Sequence, residues 1–319
     1  MEAIETKIAK LYEVDVPLTK RPDFDEFWAQ TITEARAVPL RPERTPIASY
    51  TPYADIDEIA YNGFDETRIY GWLIVPKMTG KAKLPCVVAY HGFGGSRGEP
   101  HDWMQFAMAG CAVLSVDCRM QGGKTGNTAA YSNGLVQNVT SLGILDKNEY
   151  YFRAVYMDCL KAIDFAESCA EVDADRIILF GGSQGGALGM AVACLDSRPK
   201  LTIVNVPSNS NLTARVEGEH GTFSAVADYL RRYPDKRETA YETLSYFDTM
   251  NMADKITCPV YVSVGMQDNV CPPEMYFASY NRIMSEKNVE IYPFNGHEGG
   301  GRTHMTRTLL YLRGKGLLD

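Results

Sequence analysis

Arg176–Met190 reads RIILFGGSQGGALGM. Four apolar residues, Ile177 to Phe180, run into Gly181-Gly182-Ser183-Gln184-Gly185-Gly186, and helix-forming residues follow. That order predicts a buried strand, a tight turn and a helix. Gly181 to Gly185 matches G-x-S-x-G, a turn that presents serine on strained backbone at a strand's end. The residues two positions away on each side must be small there, and Gly181 and Gly185 are. The following helix would set its positive N-terminal dipole beneath the serine. A glycine-rich turn after a strand can also cradle a phosphate. However, GGSQGGALG lacks the G-x-G-x-x-G spacing, and no P-loop lysine follows it. It also lies past the middle of the chain, whereas a nucleotide fold places its first βα turn early. Ser183 therefore reads as a nucleophile on an elbow.

Working outward, Leu84–Tyr90 (LPCVVAY) and Cys111–Val116 (CAVLSV) are continuous apolar runs. Such runs suit strands buried on both faces. Leu201–Val206, Pro259–Val264 and Val289–Pro293 predict three more strands. HDWMQFAMAG from His101 and the long pattern over 149–170 read as helices. Strand–helix alternation of this kind predicts an α/β fold with a mostly parallel, doubly wound sheet covered by helices on both faces. Upstream, TPIASYTPYA and ETRIYGWLIVP, within about 46–77, read as strands. Asp23 before Phe24-Asp25-Glu26 predicts a helix start, with Asp23 as cap and Glu26 closing a capping box. Residues of about 207–250 contain no strand-like run and predict a helical, cap-like insertion. The whole chain, 1–319, reads as one domain with an N-terminal helical and strand extension of about 1–45.

Composition narrows the function. The 319 residues are 45% hydrophobic, enough for a sizeable core, and the net charge is −8. An acidic chain without a Lys/Arg block excludes nucleic acid and anionic membrane surfaces as natural partners. No apolar stretch approaches the roughly 18 residues of a membrane span. MEAIETKIAKLYEVD shows no secretory signal, so a cytoplasmic location is expected. The eight cysteines form no CxxC pair and read as buried free thiols. The sequons at Asn138 and Asn211 read as chance matches.

A serine needs a base. In the α/β-hydrolase order an acid and then a histidine follow the serine, each after a later strand. Asp268 follows Pro259–Val264, and His297 follows Val289–Phe294. Of the five histidines, His91, His101 and His220 have the wrong order or context, and His304 falls in the last helix pattern. The oxyanion hole needs two backbone amides. Gln184, after the nucleophile, and Phe93, in YHGFGG, supply them. Gln184 thus matters through its amide more than its side chain. His91 reads as a packed histidine in that glycine-rich turn. Arg119 reads as a loop brace, and Tyr150, Tyr151 and Tyr156 read as core. Glu298 either tunes His297 or is solvated. His101-Asp102 has no companions to make a metal site. No metal and no cofactor is expected.

With these residues in place the chain resembles the acetyl xylan esterase and cephalosporin C deacetylase group, carbohydrate esterase family seven. The resemblance runs from FDEFW to GHE through YHGFGG, CRMQGG, GILDKNEYYFRAVYMD, GGSQGG and TLSYFDTMNMAD. It implies an α/β-hydrolase fold and a serine esterase that deacetylates small molecules, acetylated oligosaccharides or cephalosporin-like esters, through an acyl-enzyme. It implies Ser183, Asp268 and His297 as the catalytic triad and the Phe93 and Gln184 amides as the oxyanion hole. Phe93 stands where the family usually has Tyr. Arg119, Gln121, Gly181 and Gly185 take supporting roles. Met120 replaces the glycine of the family's RGQ motif, and its Cβ disfavours positive φ. Pro207 and Ser208 fall at the expected substrate pocket, Ser208 where an aromatic is common. The resemblance also implies a homo-oligomer, a hexamer in the family. A serine peptidase or other acyl hydrolase on the same fold is the alternative, and a non-catalytic binding protein a further one.

Overall fold

The computed structural model describes residues 2–318. In chain order its helices are α1 Glu2–Tyr12, α2 Phe24–Ala37, α3 Met104–Met108, α4 Tyr151–Ser168 and α5 Gln184–Leu195. They continue with α6 Leu212–Glu217, α7 Ser224–Arg232, α8 Arg237–Ser245, α9 Pro273–Tyr280 and α10 Gly301–Gly314. The strands are β1 Glu43–Pro46, β2 Ala54–Asn62, β3 Arg68–Pro76, β4 Leu84–Tyr90 and β5 Ala112–Val116. β6 Val172–Gly182, β7 Leu201–Asn205, β8 Val260–Gly265 and β9 Lys287–Tyr292 complete them.

The strands form one sheet in the order β1-β2-β3-β5-β4-β6-β7-β8-β9. β1, β2 and β3 are antiparallel neighbours, and β3 meets β5 antiparallel. From β5 to β9 every pairing is parallel. The central strands are buried on both faces, as their unbroken apolar runs require. Alternation divides them between two cores. Cys86, Val88, Ile177 and Leu179 pack with Trp28 of α2, Leu160 of α4, Leu188 of α5 and Phe277 of α9. Val87, Ala89, Ile178 and Phe180 pack with Phe106 of α3 and Leu312 of α10. Helices thus cover both faces.

Three sequence expectations need correction. TPIASYTPYA is mostly loop, and the long strand is the next stretch, Ala54–Asn62. Pro46 and Pro52 bring no N–H to a ladder, and Ser49 Oγ instead donates to the Thr51 carbonyl at 2.7 Å. The stretch from His101 splits into a 3₁₀ turn, Pro100–Trp103, and the short α3. Asp23 does precede α2, but its side chain makes no cap bond and there is no capping box. Its carboxylate pairs with Lys147 and accepts from the Tyr246 hydroxyl. A charge-assisted pair outweighs one amide donor.

Residues 207–250 carry α6, α7 and α8 and no strand. The N-terminal helices dock against this region and α9. Trp28 Nε1 donates to the Tyr246 carbonyl at 3.0 Å, and Tyr12 meets Phe277 edge-on at 5.3 Å. Among the described residues no helix is long and apolar enough to cross a membrane. All eight cysteines are buried thiols.

Candidate active site

β6 delivers Ser183 into backbone that L-residues seldom adopt, φ 57° and ψ −120°. Neighbouring glycines make the turn possible. A Cβ on Gly181 would stand 2.3 Å from the Gly185 carbonyl oxygen. One on Gly185 would stand 2.0 Å from the Tyr90 carbonyl oxygen. Both lie far inside contact distance, so the elbow presses against the end of β4. Ser183 N–H donates to the Asn205 carbonyl at 2.8 Å, which ties the turn to β7.

β8 and β9 bring the other two side chains. Asp268, 3% exposed, accepts the Val270 and Cys271 amides on Oδ1, both at 2.8 Å. Its Oδ2 lies 2.8 Å from His297 Nδ1, and His297 Nε2 lies 3.0 Å from Ser183 Oγ. A carboxylate only accepts, so Nδ1 carries the proton and Nε2 is left as the acceptor facing the serine. Gly265 lets the histidine loop approach, since a Cβ there would sit 2.1 Å from the Gly296 carbonyl oxygen. Glu298 does not touch the imidazole through any hydrogen bond. It accepts from Asn295 Nδ2 at 2.8 Å and Gly296 N at 3.0 Å, and so shapes that loop.

The Phe93 and Gln184 amides donate to no acceptor among the described residues. Gln184 opens α5, where the first N–H groups have no helical partner. Gln121 bridges the two donor segments. Its Oε1 accepts Gly94 N at 2.8 Å, and its amide pairs reciprocally with the Gln184 side chain at 3.0 and 3.2 Å. Tyr151 OH accepts from Gln121 Nε2 at 2.9 Å. The Gln184 side chain is therefore part of the scaffold, alongside the amide that the sequence reading weighted above it.

The acetyl xylan esterase (AXE1) family profile matches residues 1–314. The chain belongs to the acetyl xylan esterase family. It is 31% identical over 304 residues to an acetyl esterase, Axe7A, of Xylanibacter ruminicola, covering 92% of this chain and 67% of that protein. An acetyl xylan esterase from Paenibacillus sp. R4 superposes with a TM-score of 0.91 at 38% identity, covering 95% and 98% of the two chains. Acetyl xylan esterase 1 from Thermoanaerobacterium sp. JW/SL YS485 gives 0.88 at 29%, with the same coverage. Acylaminoacyl peptidases at 15% identity share the fold alone. The fold is the α/β-hydrolase fold, and the protein is a carboxylic ester hydrolase.

Around the elbow this esterase is braced by buried charge. Arg119 is 0% exposed and bonds Asp158 at 2.7 and 2.8 Å, Asp65 at 3.0 and 3.2 Å, and the Phe64 carbonyl at 2.9 Å. Burial pushes the Asp158 carboxyl up to about 6, although Arg119 pulls it down. Arg119 thus joins α4 to the loop before β3. Met120 does take positive φ, 58°, despite its Cβ. That turn aims Gln121 at Gly94. Tyr150, Tyr151 and Tyr156 are buried, with hydroxyls donating to the Thr140, Arg119 and Phe247 carbonyls.

The remaining candidates lie as follows. Pro207 stands over Gly186 at the start of α5, where an added Cβ would be 3.1 Å from the proline's own. Ser208 N donates to the Ser183 carbonyl at 3.1 Å, while its hydroxyl donates to Asn209 Oδ1 at 3.0 Å. His91 Nε2 accepts Cys118 N at 2.8 Å, so its Nδ1–H donates to the Gly92 carbonyl at 2.7 Å. It locks the glycine turn and is not hydrogen-bonded to the serine. His304 stacks on Tyr261 at 5.3 Å, and burial lowers its pKa to about 4. His101 and Asp102 are exposed and 3.6 Å apart. Among the described residues, Asp268, Cys271 and His297 are the group of donors near enough together to suit a metal, within 4.8 Å. Two of them are already joined by the imidazole proton. The reading of the sequence missed Cys271, Arg215 and His220, which surround the Asp268 loop. Arg215 lies in a helical stretch without motif, and His220 has the wrong order or context for the base of a serine nucleophile.

Proposed function

We propose that this esterase removes acetyl groups from small acetylated carbohydrates with Ser183 as nucleophile. The observation that carries the reading is the unbroken chain Ser183 Oγ, His297, Asp268, at 3.0 and 2.8 Å. Ser183 Oγ attacks the acetyl carbonyl while His297 Nε2 takes its proton. Asp268 holds the tautomer and stabilises the imidazolium that forms. The free Phe93 and Gln184 amides receive the oxyanion. His297 returns the proton to the sugar oxygen, and the alcohol leaves an acetyl-enzyme. Water, deprotonated by His297, attacks that ester and releases acetate. No step needs a metal or cofactor. Pro207 and Ser208 border the substrate pocket, because both sit against the residues that frame Ser183. A cephalosporin-type acetyl ester offers the same acyl group and is a second substrate class. The family likeness supports a homo-oligomer, a hexamer.

Ser183→Ala should lower turnover of an acetyl ester by roughly 10⁴- to 10⁶-fold. A fluorophosphonate should label the wild type once per chain and leave the variant unlabelled. Near-wild-type hydrolysis by the purified variant would remove the mechanism. The wild type should prefer acetyl over octanoyl esters of one alcohol. An equal rate on a peptide anilide would favour a peptidase.

A further inference from the structure

The residues 215–221, between β7 and β8, grip the loop that carries Asp268. Arg215 of α6 is 2% exposed. A guanidinium stays protonated, and a buried one ordinarily meets a carboxylate. Arg215 makes no ion pair among the described residues, and its Nε has no partner. Instead Nη2 donates to the Val270 carbonyl at 2.8 Å and lies 3.5 Å from Cys271 Sγ. Phe223 supports the guanidinium from 5.5 Å. Five residues on, His220 Nδ1 lies 3.1 Å from the Asn269 carbonyl oxygen, which can only accept. His220 N also donates to the Arg215 carbonyl at 2.9 Å, so the two grips form one unit. Gly221, φ +59°, keeps the approach close, since a Cβ there would be 3.1 Å from the Val270 oxygen.

Which peptide groups are held decides the meaning. A peptide bond is planar, so its C=O and N–H move together. The Val270 carbonyl that Arg215 holds shares a peptide with the Cys271 N–H. The Asn269 carbonyl that His220 holds shares one with the Val270 N–H. Those are the two N–H groups that Asp268 Oδ1 accepts at 2.8 Å. Each is gripped from behind by its own oxygen. A hydrogen bond on that oxygen also polarises the amide and strengthens its N–H as a donor.

We propose that Arg215 and His220 are positioning residues that fix and polarise the two peptide groups cradling Asp268. The proposal rests on the reading of Asp268 as the acid of the triad. The inserted helices would then set the orientation of His297 through the acid, besides any contact with substrate.

The test is a double-mutant cycle on the full chain, with kcat and KM for an acetyl ester. Arg215→Met should lower kcat by about 10- to 100-fold, the range for a misplaced catalytic group. KM should stay within about twofold, because no substrate contact is lost. Arg215→Lys, able to reach one carbonyl, should recover part of the loss. His220→Ala should cost about fivefold, the worth of one hydrogen bond, and serves if Arg215→Met does not fold. In an Asp268→Ala background each substitution should change kcat by less than about threefold, because the side chain it acts through is already gone. Full kcat in folded Arg215→Met and His220→Ala, or equal losses in both backgrounds, would overturn the proposal. If Asp268→Ala itself keeps wild-type kcat, the triad reading fails instead.

Discussion

At the scale of single residues, backbone conformation does much of the work. Ser183 and Met120 both hold positive φ, 57° and 58°. For Ser183 the strain presents the hydroxyl proposed as nucleophile. For Met120 the turn serves only to carry Gln121 to Gly94, and the Met120 side chain is 40% exposed. The left-handed region costs an L-residue about 1–2 kcal/mol, and glycine escapes that cost while losing more chain entropy. Met120→Gly should therefore stabilise the fold by about 1 kcal/mol net. It should raise the urea midpoint without changing the slope and leave kcat within about twofold. A lowered midpoint would show that Met120 packs in a way its exposure hides. Sequence exposed the elbow because a G-x-S-x-G turn forces composition on its flanks. It did not expose the Gln121–Gln184 amide pair, because two glutamines 63 positions apart carry no local signature. Arg215 was equally silent. A buried guanidinium bonded to one carbonyl and a cysteine sulfur has no carboxylate in hydrogen-bond reach among the described residues to suggest where it goes.

At the scale of elements, the strand and helix alternation was legible because parallel strands must be apolar on both faces. The failures were at edges. Pro52 and the Ser49 turn broke an expected strand, and Lys147 drew Asp23 away from its helix. Both are cases of a side chain or ring overriding a local pattern. The connection that most concerns the site is Arg119 with Asp158, which locks α4 to the segment leading into β3 and to the turn carrying Gln121. Arg119→Met leaves the 3% exposed Asp158 without its cation. That should cost about 3–5 kcal/mol in denaturant unfolding, the usual loss on breaking a buried pair. Asp158→Asn in the same chain removes the stranded charge and keeps an acceptor for Phe64 N, which Asp158 Oδ1 takes at 2.7 Å. The double variant should be more stable than Arg119→Met alone. If it is less stable, Asp158 contributes through contacts other than this charge.

At the scale of the whole molecule, buried titratable groups pull stability in opposite directions as pH changes. Burial lowers His304 to about 4, below the free-histidine value of about 6.5. Unfolding therefore takes up a proton between those values. The contribution of neutral His304 is full above about pH 6.5 and is lost as pH falls toward 4. Burial raises Asp158 and Asp248 to about 6, above the free aspartate value of about 3.9. Their burial costs least below that free value, and the cost grows as pH rises through 6. Acidification thus weakens the fold at His304 and strengthens it at the two aspartates, so the wild-type curve alone does not isolate either effect. His304→Phe does. The ring still faces Tyr261 and can stack, while the titration disappears. Between pH 7 and pH 5 the variant should lose about 2 kcal/mol less unfolding free energy than the wild type. Urea curves at the two pH values measure that difference. Parallel curves would mean that His304 titrates as a free histidine, with its buried Nε2 reached by water in the folded state.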